Sequence, residues 1–320
     1  MQAGQQLLVW QFVLKNLKEG VPVALLYVVE SKGSSPGRRD FMMAANRDQC
    51  SGTIGGGIME YKLVELSREL LPGMRQKIIL KTQYHDKEHS IDQSGMICSG
   101  MQRVVIMLNS SLKVDVVQSL IQCISAGLQG QIEISTSGLY FHSGVERINE
   151  FNIQSEDESK CIGMVGVRPR LHIIGGGHVS LALSELMSRL GFYVIVYDDR
   201  SELNTFEENR YADEKHFVQY EEIGVFLKST QEDYLAIMTI GYRTDKIVLK
   251  QLLGMQHCYL GMLGSVAKIN QLFRELRQEG YSSEQLARVH APIGLQVHSK
   301  TAVEIAVSIA AQIIREKNKN

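Results

Sequence analysis

The sequence predicts an α/β protein with two domains, residues 1–155 and residues 165–320. The chain has 320 residues, which is more than one hydrophobic core usually fills. A polar, acidic stretch at 149–160 shows no sustained period and separates two differently patterned parts. After it, short apolar runs alternate with helical patterns, which is typical of a parallel sheet covered by helices. We therefore expect a doubly wound parallel sheet in the C-terminal domain and a separate α/β (α+β) domain before it.

The N-terminal part is predicted to begin with an amphipathic helix at 5–19, which ends at Gly20. Its other elements follow from apolar periodicity and from Gly/Pro turn signals. Strands are expected at 21–29, 41–45, 78–82 and 102–108, helices at 58–71 and 114–126, and a hairpin at 131–142.

The C-terminal part is predicted to alternate strictly between strands and helices. Strands are expected at 171–174, 193–197, 234–240 and 258–263, and helices at 179–190, 247–253 and 267–279. A last helix has a start signal, because Thr301 can cap it and Glu304 three residues later completes a capping box.

Composition excludes several classes of protein. The 34 Lys and Arg against 35 Asp and Glu give a net charge of -1, which argues against a nucleic-acid groove. No apolar run reaches the ~18 residues of a membrane helix, and the N-terminus lacks the basic lead of a signal peptide. Five scattered cysteines without Cys-x-x-Cys predict neither a disulfide framework nor a structural zinc site. We expect a cytoplasmic location.

A glycine turn in the C-terminal part carries the first chemical signal. Gly175-Gly176-Gly177-His178 follows a predicted strand and opens a predicted helix, as in dinucleotide-binding turns. Gly175 would allow the tight turn, Gly177 would let a pyrophosphate approach, and the helix N-terminus would attract that anion. Asp198 ends the next strand at the spacing of a ribose-binding acid, which would favour free ribose hydroxyls. The alternative is a turn that only allows close helix–sheet packing.

A second glycine-rich turn, Gly52 to Gly57, precedes the helix predicted at 58–71. Gly55, Gly56 and Gly57 leave backbone N–H groups bare for a phosphate or a pterin. The alternative is a tight connection between strand and helix.

Three further segments contain residue types that can carry chemistry. Cys98, between glycines in a polar loop, is predicted to be an accessible thiolate or a soft-metal ligand, with an inert thiol in a tight turn as the alternative. Ser35 lies in a Gly-x-Ser-x-Gly sequence, but Pro36 follows it where a nucleophile elbow needs a helix, so we expect a loop residue. His85 and His89 are four residues apart, but no glutamate lies beside the first of them as in a zinc-protease helix. We therefore do not expect them to bind zinc.

Taken together, these segments resemble the XdhC/CoxI family of molybdenum-cofactor maturation factors, the xanthine dehydrogenase accessory proteins. Ordered motifs along nearly the whole chain carry the resemblance: Gly33 to Gly37, Phe41-Met42-Met43, Gly52 to Glu60, Ser94 to Gly100, Gly175 to Val179, Asp198-Asp199-Arg200, Gly261 to Ser265, His290 to Leu295 and Glu304 to Ile309. Departures from the common pattern are Ser99 for Gly, Ile240 for His and Gln296 for Asp, whereas Asp245 is retained.

The resemblance implies a Rossmann-like C-terminal domain and a protein that binds molybdopterin-type molybdenum cofactor. Such a protein protects the cofactor while its sulfurated form is made and delivers it to a molybdenum hydroxylase such as xanthine dehydrogenase. A cysteine desulfurase and a second copy of the chain are the other implied partners. The implied cofactor site comprises Cys98 as the reactive group with Gly55, Gly56, Gly57, Gly175, Gly177, His178, Asp198, Gly264 and Ser265.

Two other functional classes remain open at this point. One is an NAD(P)-dependent oxidoreductase that uses the C-terminal fold, since a fold alone does not decide function. The other is a regulatory or assembly protein whose glycine fingerprint is vestigial. Cys98 and the triple glycine at 55–57 lie outside the predicted nucleotide fold and favour the maturation factor.

Overall fold

The computed structural model describes residues 1–72, 78–84, 100–135, 137–144, 151–153, 159–227 and 229–319. The chain divides into two compact units, Met1–Val167 and Arg168–Asn320. The first unit extends beyond the predicted limit of 155 because the strand Ser159–Val165 pairs antiparallel with the strand Gly130–Ser135. The chain thus returns to a sheet of the N-terminal unit after its acidic stretch.

Helices and antiparallel sheets build the N-terminal unit. Its helices are α1 (Ala3–Lys18), α2 (Gly57–Leu70) and α3 (Val114–Ser125). Its strands are β1 (Ala24–Gly33), β2 (Met42–Ala45), β3 (Cys50–Thr53), β4 (Ile78–Tyr84), β5 (Gly100–Leu108), β6 (Gly130–Ser135), β7 (Gly138–Ser143), β8 (Phe151–Ile153) and β9 (Ser159–Val165). One sheet has the order β3-β2-β1-β5-β4 and the other β7-β6-β9-β8.

The central strand β1 is buried on both faces, which explains its apolar run. Leu25 and Tyr27 pack with Trp10 of α1 in one cluster. Leu26 and Val28 point the other way, into a second cluster that includes Leu63 of α2. This alternation follows from the two-residue period of a strand and places α1 and α2 on opposite faces of the sheet.

A single parallel sheet forms the centre of the C-terminal unit. Its strands are β10 (Arg170–Ile174), β11 (Tyr193–Asp198), β12 (Glu214–Phe217), β13 (Tyr234–Ile237), β14 (Tyr259–Met262) and β15 (Val289–His290). Its helices are α4 (His178–Arg189), α5 (Asn204–Glu207), α6 (Ile223–Phe226), α7 (Tyr242–Leu252), α8 (Val266–Gln278), α9 (Ser283–Ala287) and α10 (Ala302–Lys317).

The strands of this sheet run in the order β12-β11-β10-β13-β14-β15, and neighbouring strands pair in parallel. Counted from β10, this is the order 3-2-1-4-5-6 of dinucleotide-binding folds. Helices cover both faces, with α7 and α8 packed in one buried cluster and α4 and α10 in the other. The predicted doubly wound sheet is therefore confirmed.

The predicted capping box at the last helix is present. The Thr301 side chain accepts a hydrogen bond from the Glu304 backbone N–H, and the Glu304 carboxylate accepts from the Thr301 N–H at 3.0 Å. Sequence periodicity did not predict β3, β8, β9, β12, β15, α5, α6 and α9, all of which except β9 have five residues or fewer. Among the described residues, no helix is both long and apolar enough to cross a membrane.

Candidate functional site

The predicted ligand residues of the C-terminal unit gather at one edge of its sheet. β10 leads into Gly175, Gly177 and His178, and β11 ends at Asp198. β14 is followed by Gly264 and Ser265. Because all these strands are parallel, their carboxyl ends lie on the same side, and β10 and β13 diverge there into helices on opposite faces. This is the place where doubly wound sheets bind ligands.

The surroundings of a side chain would differ at each of the three glycines of the turn. Gly175 has φ +114°, and a Cβ there would overlap the carbonyl oxygen of Met238. A Cβ at Gly176 would lie 2.8 Å from the ring of Phe206. Gly177 has φ -72°, and a Cβ there would meet nothing within 4 Å. The fold itself therefore requires the first two glycines, whereas the space beside Gly177 is open to a ligand.

Asp198 is fully buried, and each of its two carboxylate oxygens accepts two hydrogen bonds from groups of the protein itself. Its Oδ2 accepts hydrogen bonds from the Gly176 N–H at 2.6 Å and the Arg200 Nη2 at 2.7 Å. Its Oδ1 accepts from the Arg200 backbone N–H at 2.9 Å and the Arg200 Nε at 2.8 Å. Burial alone would raise the pKa of Asp198, but the hydrogen bonds from Arg200 and Gly176 outweigh it and lower the pKa below 3.8.

These contacts connect Asp198 to the glycine turn. Binding of a ribose hydroxyl by Asp198 stays a prediction. The next residue, Asp199, has a side chain that is 30% exposed. Burial and the charge of Asp198 raise the pKa of Asp199. The end of β11 thus carries one inward carboxylate and one that reaches solvent.

A buried charged group that was not among the predicted site residues lies at the same edge. Asp245, in the first turn of α7, is completely buried and accepts a hydrogen bond from the Thr239 hydroxyl. The ammonium group of Lys268 pairs with its other carboxylate oxygen. Burial raises the pKa of Asp245 in spite of these two partners. The available sequence signal was the family pattern, in which Asp245 is retained.

Ser265 and Gly264 are positioned by the start of α8. The Ser265 hydroxyl accepts from the Lys268 backbone N–H at 3.2 Å and so caps the helix. A Cβ at Gly264 would lie 3.1 Å from the Ile269 side chain. His178, the first residue of α4, is exposed.

The glycine turn of the N-terminal unit is also occupied by an internal carboxylate. Glu60 Oε2, one turn into α2, accepts hydrogen bonds from the Ile54 N–H and the Gly56 N–H, both at 2.9 Å. Gly55 has φ +129°, and a Cβ there would overlap the backbone nitrogen of Gly37. A Cβ at Gly56 would meet no atom within 4 Å. Glu60 therefore satisfies donors that the sequence suggested for a ligand.

Ser35 belongs to the same cluster of loops. Its side chain is buried and donates to Gln102 Oε1 at 3.0 Å. A Cβ at Gly100 would lie 2.6 Å from the Ser35 backbone nitrogen, so the loop after β1 closely approaches the first residue of β5. A hydroxyl held in this way agrees with the prediction that Ser35 is a loop residue and not a nucleophile.

Cys98, with His85 and His89, lies outside the described residues. The described cysteines are the exposed Cys50 and Cys258 and the buried Cys123 and Cys161. The described part of the chain contains no group of three or more His, Cys, Asp or Glu residues suited to a metal ion.

Comparison with known proteins links both units to one family. A model described as the XdhC Rossmann domain matches residues 171–313, and a model of the XdhC and CoxI family matches residues 16–82. The protein YqeB of Escherichia coli, described as uncharacterized, is 24% identical over 306 residues, which cover 94% of this chain and 44% of that protein. A probable xanthine dehydrogenase subunit of Bacillus subtilis is 26% identical over 152 residues, 48% of this chain and 44% of the relative.

This chain thus spans less than half the length of the curated relatives it matches. A crystal structure described as a xanthine dehydrogenase from Bacillus halodurans superimposes with a TM-score of 0.68 at 22% identity. The match covers 97% of this chain and 96% of that one, which shows a shared fold. With one family model on each unit, the chain belongs to the XdhC and CoxI family.

Proposed function

We propose that this chain binds a molybdopterin-type molybdenum cofactor in the cytoplasm, protects it and delivers it to a molybdenum hydroxylase of the xanthine dehydrogenase type. The observation that carries the proposal is the match of both units to models of the XdhC and CoxI family. The name of the Bacillus subtilis relative, a probable xanthine dehydrogenase subunit, supports the link to that class of enzyme. An accessory role needs a binding site and a docking partner but no redox centre of its own.

The carboxyl edge of the parallel sheet suits a phosphate-bearing ligand. A side chain is absent at Gly177, the space there is open, and α4 begins at His178. The start of an α-helix offers unpaired N–H groups and the positive end of the helix dipole to an anion. Gly264 and Ser265 border the same edge at the start of α8. When bound, the cofactor would supply a molybdenum centre carried by a phosphate-bearing pterin.

In this proposal Cys98 supplies a thiolate to the cofactor, and its role rests on the sequence. A soft thiolate suits molybdenum or a sulfur-carrying intermediate better than an oxygen ligand does. A cysteine desulfurase is the proposed source of sulfur, and the proposed assembly is a homodimer.

The proposal is tested by expression with a client hydroxylase and purification. Molybdenum is measured by mass spectrometry and the pterin by fluorescence after oxidation. The wild type should retain both and activate the client. Cys98→Ser should fold and lose most retention and activation, whereas Cys50→Ser, the matched change at an exposed cysteine, should lose neither. Normal client activation by Cys98→Ser would rule out a role for this thiol, and an empty wild type would rule out the function.

An NAD(P)-dependent oxidoreductase is the second candidate, favoured by the strand order of the C-terminal sheet and its glycine turn. Titration with NADH and NADPH separates the two. Saturable binding by a protein that retains no pterin would favour the oxidoreductase. With Asp198 and Asp199 at the end of β11, NADH should then bind more tightly than NADPH.

A further inference from the structure

Two exposed aliphatic side chains lie at the carboxyl edge of the C-terminal sheet, on the β13 and β14 side of the glycine turn. Ile240 follows β13 and is 69% exposed, and Val266 is the first residue of α8, after β14, and is 60% exposed. Exposed aliphatic residues are common on protein surfaces, so exposure alone indicates nothing. The position of this pair is informative, because doubly wound sheets bind their ligands at this edge.

The strand ends that carry these residues lie beside the glycine turn. β13 pairs with β10 on one side and with β14 on the other. The Met238 N–H donates to the Ile174 carbonyl oxygen at 2.7 Å, and a Cβ at Gly175 would overlap the Met238 carbonyl oxygen. The turn therefore lies directly against the end of β13, two residues before Ile240. Val266 follows the next strand of the sheet.

A buried ion pair fixes the two segments that carry these side chains. Asp245 of α7 is completely buried and accepts a hydrogen bond from the hydroxyl of Thr239, the residue before Ile240. The ammonium group of Lys268, two residues after Val266, pairs with the other oxygen of the same carboxylate. The two charges compensate each other, so the pair joins the segments without adding a net charge. Ile240 and Val266 are thereby held in place before a ligand binds, which lowers the entropy that binding costs.

The opposite side of the glycine turn has a different chemical character. β11 is followed by Asp199 and Arg200, whose side chains are 30% and 34% exposed. The next two residues, Ser201 and Glu202, are exposed. A ligand with its phosphate at Gly177 would thus have charged and polar groups on the β11 side and aliphatic groups on the β13 and β14 side.

We infer that a phosphate-bearing ligand held at the Gly177 turn directs a planar heteroaromatic ring toward β13 and β14, where the ring packs on Ile240 and Val266. The two faces of such a ring are poorly hydrated and its polar groups lie at its edge, so aliphatic side chains match the faces. The identity of the ring as a pterin rests on the proposed function. For the oxidoreductase, the second candidate, the same chemistry would come from nicotinamide.

The test uses the full chain and two fluorescent probes, 6-hydroxymethylpterin diphosphate and NADH. Inorganic pyrophosphate, which has no ring, is titrated as a competitor of the probe that binds. The double variant Ile240→Ser/Val266→Ser should bind that probe about tenfold more weakly than the wild type, because two apolar contacts with the ring are lost. Its affinity for pyrophosphate should stay within about twofold of the wild-type value.

The matched control is Val225→Ser/Val307→Ser. These two valines of the same unit are 79% and 50% exposed and belong to α6 and α10, so the control removes two aliphatic groups away from the ends of β13 and β14. It should bind the probe and pyrophosphate as the wild type does. Thermal unfolding of each variant establishes that it is folded.

Three results would overturn the inference. The first is a wild type that binds neither probe, and the second is a folded Ile240→Ser/Val266→Ser variant that binds the probe as tightly as the wild type. The third is pyrophosphate that fails to compete, or that loses as much affinity in this variant as the probe does, since the lost contact would then not be with the ring.

Failure of the inference is distinguishable from failure of the proposed function. Binding of NADH but not of the pterin, weakened in Ile240→Ser/Val266→Ser, supports the packing of a ring on this pair and contradicts the maturation factor. A pterin probe that binds the wild type and this variant equally contradicts the inference, while the retention assay with a client can still succeed.

Discussion

Replacing Asp198 with asparagine should destabilise the C-terminal unit by about 3 kcal/mol. Each carboxylate oxygen accepts two hydrogen bonds, so an amide in either orientation faces two donors with its own NH₂ group. A hydrogen bond to a charged group contributes about 1.5–3 kcal/mol. Because the Arg200 side chain is 34% exposed, water replaces part of what it loses. In either orientation one backbone N–H, that of Gly176 or that of Arg200, is left without an acceptor.

The effect is measured as a shift in thermal unfolding. For a unit of this size, 1 kcal/mol corresponds to about 2–4 °C in Tm, so a loss of about 10 °C is expected. Asp199→Asn is the matched control, since that carboxylate is part-exposed and lies 3.9 Å from Arg200 Nε, beyond hydrogen-bond distance. It should shift Tm by no more than about 2 °C.

The pH dependence gives a second, independent readout. The pKa of Asp198 is lower in the folded than in the unfolded protein, so its stabilising contribution is complete above the ordinary value of 3.8. It is lost as the pH falls through the lowered pKa. The gap between wild type and Asp198→Asn should therefore be constant between about pH 5 and pH 8 and close below about pH 4. Equal shifts for Asp198→Asn and Asp199→Asn, or a gap that widens on acidification, would refute this account of the glycine turn.

Three further substitutions separate fold from ligand binding. Gly175→Ala should cost about 3 kcal/mol or more, because its Cβ overlaps the Met238 carbonyl at a positive φ, and a Tm close to that of the wild type would contradict this. Gly177→Val should fold with a loss of only about 1 kcal/mol but retain much less pterin on purification; full retention would remove this turn from the cofactor site. Thr301→Ala should cost about 1 kcal/mol in chemical denaturation through loss of the α10 cap, and Thr301→Ser should restore most of it.

Local sequence determined the elements that build this protein. Alternating apolar runs and helical stripes predicted the parallel sheet because a strand and a helix each reveal their period within a few residues. The capping box at Thr301 and the turn at Gly175 were predictable for the same reason, since each depends on residues only a few positions apart. The strand β9 was missed because its pairing with β6 lies in distant sequence, behind a polar stretch.

The chemistry at the sites was decided by tertiary structure. Sequence spacing indicated Asp198 as an acid beside a glycine turn, but only the fold aligns Gly176 and Arg200 with its two oxygens. Likewise, Asp245 and Lys268 look like ordinary charged residues in sequence and pair only because α7 and α8 pack together. The periodicity of a chain determines which face of an element is buried, whereas which polar groups meet across that face depends on the packing of elements distant in sequence.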